Sequence, residues 1–267
     1  MRQRKWTKAG LREKSRRGMY IIPSLFTVSN IFCGFYSISS AIQGNFERAG
    51  ILIGIAMILD TLDGRIARMT HTSSAFGVQL DSLADAITFG VAPAVVCYQW
   101  AFYHFENRLI DRAGWVACFL FIICAASRLA RFNVQTTGHP DKRYFTGMPT
   151  PAAAGFVAAT IYYFPERIAG EFWAIVAVAV MLILAFLMVS RIRYRTFKDL
   201  NLRQPRSYRM IVLIALIIGF MAFDLKRALI TLAFVYAISG IIGMFTRKPK
   251  PEVPQPDSSV PIPVNPS

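Results

Sequence analysis

The sequence predicts an all-α integral membrane protein: a bundle of about eight transmembrane helices with both termini in the cytoplasm. Three observations lead there. Apolar runs close to 20 residues long recur along the chain, and about 20 residues is the length a helix needs to cross a hydrocarbon core. Hydrophobic residues make up 54% of the 267 residues and charged residues only 17%, whereas soluble domains carry about 25% charged residues. Finally, the cations are distributed unevenly between alternate connections, as positive-inside membrane proteins require.

The elements follow in order. Residues 1–19 form a basic tail with Arg2, Arg4, Lys5, Lys8, Arg12, Lys14, Arg16 and Arg17. A membrane domain spans 20–246, with apolar segments at roughly 20–42, 49–69, 78–103, 113–133, 150–165, 172–190, 208–223 and 226–246. The first is longer than the apolar region of a secretory signal, about 7–15 residues, and is read as a retained span. Residues 247–267 hold seven of the chain's 14 prolines, so this stretch cannot build a core and reads as a disordered cytoplasmic tail.

With eight spans, 24 of the 30 Lys and Arg fall on the side of the termini. The other side has only Arg48, Arg108, Arg112, Arg167, Lys226 and Arg227. This asymmetry orients the termini and the loops at 70–77, 134–149 and 191–207 toward the cytoplasm. It also accounts for the net charge of +15 without nucleic acid as a partner. Basic loops beside a bilayer attract anionic membrane lipids at about 1 kcal/mol per residue. Cys33, Cys97, Cys118 and Cys124 all lie in apolar runs without CxxC spacing, which gives neither a zinc site nor a disulfide framework.

The segment 60–85, "DTLDGRIARMTHTSSAFGVQLDSLAD", interrupts this apolar pattern with Asp60, Asp63, Asp81 and Asp85. Spacings of three and four place each pair on one helical face. The short 70–77 connection predicts that the second and third spans are antiparallel neighbours, so the two pairs meet. A carboxylate in the middle of a span costs about 2.5–3.5 kcal/mol on insertion scales, less near the interface, and mutual repulsion adds to that cost. A bound cation offsets both, and all-oxygen ligands favour a hard ion, Mg²⁺ or Mn²⁺. Two other readings of the carboxylates are interfacial pairing with Arg65 and Arg68, and the proton or Na⁺ path of an ion-coupled transporter. The broken helices and repeated halves usual in transporters are not seen.

Asp60-x-x-Asp63-Gly64-x-x-Ala67-Arg68, followed after eight residues by Gly77-x-x-x-Asp81-x-x-x-Asp85, resembles the signature of the CDP-alcohol phosphatidyltransferases at every fixed position. Four further stretches resemble the branch that uses serine as acceptor: "IPSLFTVSNIFCGFYSI" (22–38), "SAFGVQLDSLADAITFGVAPA" (74–94), "SRLARFNV" (127–134) and "FTGMPTPAAAG" (145–155). The resemblance runs from about residue 20 to 245 and omits both tails.

It implies a membrane enzyme that transfers the phosphatidyl group of CDP-diacylglycerol to the hydroxyl of L-serine and releases CMP. Asp60, Asp63, Asp81 and Asp85 would bind the divalent metal, with Asp85 completing that cluster or serving as general base. Gly64, Ala67 and Gly77 would flank the cytidine, unless they only allow close helix packing, and Arg68 would lie near the phosphates; Asn30 would hydrogen-bond a phosphate or the serine, or else a neighbouring helix. Arg128 or Arg131 would bind the serine carboxylate, unless both are interfacial anchors. The loop containing "FTGMPTP" would cover the pocket. The resemblance also implies a homodimer in the cell membrane, with the active site facing the cytoplasm. A relative using glycerol-3-phosphate or an inositol phosphate as acceptor is the alternative, and such acceptors need more cations in the pocket.

Overall fold

A computed structural model of the chain describes residues 8–70, 75–136, 144–190, 193–195, 215 and 219–246, with side chains described over 25–66, 76–134, 147–190, 215 and 219–239. Among the described residues, the helices with both ends described run in the order α1 (Lys8–Ile42), α2 (Phe46–Thr70), α3 (Ala75–Asp85), α4 (Ala92–Ala101), α5 (Arg108–Thr136), α6 (Thr150–Tyr163), α7 (Glu171–Val189) and α8 (Leu225–Thr246). A π-helical turn, Ala86–Val91, joins α3 to α4 as one rod. Two short strands, β1 (Tyr144–Thr146) and β2 (Arg193–Arg195), pair antiparallel with Phe145 opposite Tyr194. They lie in the predicted loops 134–149 and 191–207.

Among the described residues, four stretches are long and apolar enough to cross a bilayer: Leu25–Ile42, Phe76–Ala101, Arg108–Val134 and Glu171–Val189. The chain is a multi-pass membrane protein. The second predicted span coincides with α2, whose apolar character is broken by Asp60, Asp63, Arg65 and Arg68. The fifth coincides with α6, whose 14 residues rise only about 21 Å at 1.5 Å per residue. Most of the predicted seventh span, 208–223, lies outside the described residues, as do the tail 247–267 and residues 1–7. The basic segment is helical from Lys8 onward, because α1 continues through it without a proline until Pro23. Charge alone had suggested a tail, but Lys, Arg, Glu and Leu are all good helix formers.

Local chemistry sets the connections. Asn45 ends the α1–α2 turn and accepts a hydrogen bond from the Arg48 amide at 3.1 Å, the side-chain cap that starts α2. The two helices then pack along their length, and the buried Ser37 hydroxyl donates to the Ala49 carbonyl at 2.8 Å. The interior is built from Ala41, Ala49, Ile53, Phe89, Val96, Phe121, Ala153, Ile161, Met181 and Met188. Small residues let the helices approach closely, and bulkier ones fill the gaps between them. At the far end, the Trp100 indole donates to the carbonyls of Phe164 and Glu166 at 2.9 and 2.6 Å, tying α4 to the α6–α7 connection.

The π turn has a local cause. Pro93 has no N–H, and its ring opposes the carbonyl of Phe89 in an α-helical ladder. Widening the preceding turn relieves this conflict, and the Ala92 amide reaches Ile87, five residues back. Such insertions recur at functional sites, and this one begins directly after Asp85.

Candidate active site

Asp60 and Asp63 project from the C-terminal part of α2, and Asp81 and Asp85 from α3. One carboxylate oxygen from each of Asp60, Asp63 and Asp81 lies within 4.8 Å of the other two. Asp85 joins the group through a side-chain hydrogen bond with Asp60. The expected meeting of the two pairs is therefore seen, but not by direct helix packing. Over the described residues α2 and α3 scarcely touch. α1 packs against both.

α1 also contributes to the site. The Thr27 hydroxyl donates to Asp63, as does the Gly64 amide. Asn30 is fully buried, and both the oxygen and the nitrogen of its amide lack a protein partner. Its backbone carbonyl accepts a hydrogen bond from Thr88 Oγ1 at 3.1 Å, linking α1 to the π turn. Gly34, one turn further along α1, makes the close approach possible: a Cβ there would stand 2.8 Å from Thr88 Oγ1 and 3.0 Å from its Cα. On the other side, the Asn133 amide of α5 donates to the Ser82 hydroxyl at 2.9 Å, steadying α3 beside Asp81. Thr27, Thr88, Ser82 and Asn133 carried no assignment from the sequence, because pairing across helices leaves no trace in local spacing.

The donor set fits a hard divalent cation. It consists of carboxylate oxygens, Asp63 Oδ2 and Asp85 Oδ1 are buried without a protein partner, and among the described residues no ion pair joins an arginine or lysine to any of the four. A buried, unpaired carboxylate is strongly disfavoured in a medium of low dielectric. Pairing with Arg65 does not supply the missing charge, since its side chain is exposed and makes no such contact among the described residues. Gly64 lies on α2 beside Asp63, and Gly77 on α3 one turn before Asp81. Ala67 and Arg68 lie on α2, but their side chains fall outside the described residues.

The two α5 arginines have different environments. Arg131 Nη1 donates to the Val189 carbonyl at 3.1 Å, satisfying one of the open carbonyls at the end of α7. Arg128 is 9% exposed, and its Nη1 donates to Thr150 Oγ1 at 3.0 Å. Its Nε is buried with no protein partner, and it lies within electrostatic reach of Asp85 and Tyr236. The segment expected to cover the pocket is anchored at its described end. The Met148 amide donates to the Leu187 carbonyl at 3.0 Å. Gly147, at φ +85, lies so close to the Met188 carbonyl that a side chain has neither the space nor a relaxed backbone there.

A cavity of about 720 Å³ lies toward the other end of the α3–α4 rod, among Trp100, Phe156, Ile161, Trp173 and Phe234. It touches none of the four carboxylates, and its largely apolar walls offer little to a phosphate. The candidate site is therefore the carboxylate cluster carried by α2 and α3.

Known proteins resemble the chain across this cluster and well beyond it. A CDP-diacylglycerol–serine O-phosphatidyltransferase of Helicobacter pylori (strain ATCC 700392 / 26695) is 38% identical over 229 residues, covering 84% of this chain and 91% of the relative. One from Bacillus subtilis (strain 168) is 34% identical over 181 residues, 67% of this chain and 93% of the relative. An archaetidylserine synthase of Methanothermobacter thermautotrophicus is 34% identical over 187 residues, 69% and 73% of the two chains. Residues 20–190, which include all four aspartates and both α5 arginines, match the CDP-alcohol phosphatidyltransferase family, and the chain belongs to it.

Proposed function

We propose that this chain is a phosphatidylserine synthase, transferring the phosphatidyl group of CDP-diacylglycerol to the hydroxyl of L-serine with release of CMP. Relatives named for that reaction support it. The observation that carries the choice of acceptor is the single buried guanidinium, Arg128, within electrostatic reach of Asp85 at the edge of the carboxylate cluster. One guanidinium suits one carboxylate. A phosphorylated acceptor would call for further cations, and among the described residues no second buried arginine accompanies it.

In this reading Asp60, Asp63 and Asp81 hold a divalent cation, Mg²⁺ or Mn²⁺, with Asp85 beside them. Bound there, the cation would neutralise the pyrophosphate and the charge that grows on it during transfer. Asp85 accepts the serine hydroxyl proton as the serine oxygen bonds to the phosphorus that carries diacylglycerol. The bond from that phosphorus to the CMP oxygen breaks, and CMP leaves with the electron pair. Gly64, Ala67 and Gly77 make room for the cytidine, Arg68 meets the phosphates, and the Asn30 amide supplies a donor and an acceptor from α1. Arg128 takes the serine carboxylate, and Arg131 serves α7.

The active site faces the cytoplasm, an orientation supported by the distribution of Lys and Arg. Eight spans, two cytoplasmic termini and a pair of identical chains complete the reading.

The test is acceptor choice. Purified protein given CDP-diacylglycerol should release CMP with serine and form phosphatidylserine by mass spectrometry. Release with glycerol-3-phosphate or an inositol phosphate, and none with serine, would refute the proposal.

A further inference from the structure

We infer that Thr150 is a positioning residue for acceptor recognition, orienting the Arg128 guanidinium so that its Nε edge meets the carboxylate of the amino-acid acceptor. This rests on the reading of Arg128 given above.

An arginine side chain has many rotamers and loses much freedom when it binds a ligand. Fixing one edge in advance lowers that loss and makes the other edge specific. Thr150 is fully buried, and its hydroxyl takes the Arg128 Nη1 proton at 3.0 Å. The Nε–H is left buried without a protein partner, a costly arrangement unless a ligand uses it. Thr150 is the first residue of α6, so the rigid start of that helix carries the hydroxyl that meets Arg128.

Thr150 is itself held in place. The Met148 amide is bound to the Leu187 carbonyl, Gly147 is pressed against the Met188 carbonyl, and Arg131 binds the next carbonyl, that of Val189. Three consecutive carbonyls at the end of α7 thus fix the segment leading to Thr150 and the helix bearing Arg128. The chain runs from α7, through 147–150, to one guanidinium edge.

The experiment measures steady-state kinetics of the full chain in mixed micelles, with serine or serinol, its analogue lacking the carboxylate, as acceptor. Thr150→Val keeps the shape and removes the hydroxyl. It should raise the serine KM about tenfold, with kcat and the CDP-diacylglycerol KM within about twofold of wild type and serinol use unchanged. Thr150→Ser should restore the serine KM. If Thr150→Val does not accumulate as folded protein, Thr150→Ala carries the same expectations. An unchanged serine KM without the hydroxyl overturns the inference, as does a parallel loss with serinol or a Ser variant that fails to rescue. Arg128→Ala separates the two levels. If it raises the serine KM and the Thr150 variants do not, only the role of Thr150 falls. If it leaves the serine KM unchanged, the reading of Arg128 falls and the inference with it.

Discussion

Gly34 of α1 lies flush against Thr88 of the π turn, with no room for even a methyl group between them. Thr88 follows Asp85 by three residues, so this contact sets the height of the Asp85 carboxylate relative to α1. A Cβ at position 34 would meet Thr88 Cα at 3.0 Å, a backbone atom that moves only with its helix. Gly34→Ala should therefore destabilise the fold by about 1–3 kcal/mol through overpacking. Turnover should fall as well, because the displaced turn directly follows Asp85. Thermal unfolding in detergent checks the first effect and CMP release the second. A variant with wild-type melting and activity would show that α1 and the π turn separate freely.

Asp85 is assigned the proton transfer, a role exerted in the transition state. Asp85→Asn should lower kcat by about 10²–10⁴ while CDP-diacylglycerol binding changes little. Equilibrium binding measured alongside single-turnover CMP release distinguishes the two. Normal turnover would remove Asp85 as the base.

Arg131 closes the end of α7 through the Val189 carbonyl. Arg131→Ala should cost about 1.5–3 kcal/mol of stability, the worth of a hydrogen bond from a charged group, here to a part-buried carbonyl, and leave the serine KM at its wild-type value. A raised serine KM with unchanged melting would move the acceptor site from Arg128 to Arg131.

The Ser82–Asn133 pair joins α3 to α5 beside Asp81. A double-mutant cycle with Ser82→Ala and Asn133→Ala should show a coupling of about 0.5–1.5 kcal/mol in stability. Strict additivity would mean that the two residues act independently.

The cluster itself was legible in the sequence, since carboxylates at spacings of three and four inside apolar segments have few inexpensive explanations. The spans were legible for the same reason: α5 and α7 are continuous apolar runs, and a run of that length has one physical meaning. The means of assembly were less visible. Nothing local in "DTLDG" or "QLDSLAD" shows that α1 packs against both helices or that Thr27 reaches Asp63 across that interface. The π turn did leave a sign in Pro93, whose conflict with the Phe89 carbonyl can be read from the sequence, though not how the backbone resolves it. Choosing between Arg128 and Arg131 required their partners, Thr150 and Val189, which lie 22 and 58 residues away.

The central claim is that Asp60, Asp63 and Asp81 form a divalent-metal site on which transfer depends, and metal depletion tests it most directly. Chelated, purified protein should release no CMP from CDP-diacylglycerol and serine. Mn²⁺ should bind with a resolved electron paramagnetic resonance signature and restore release, and Asp63→Asn should lose both. Full turnover by protein shown to contain no bound metal would contradict the account.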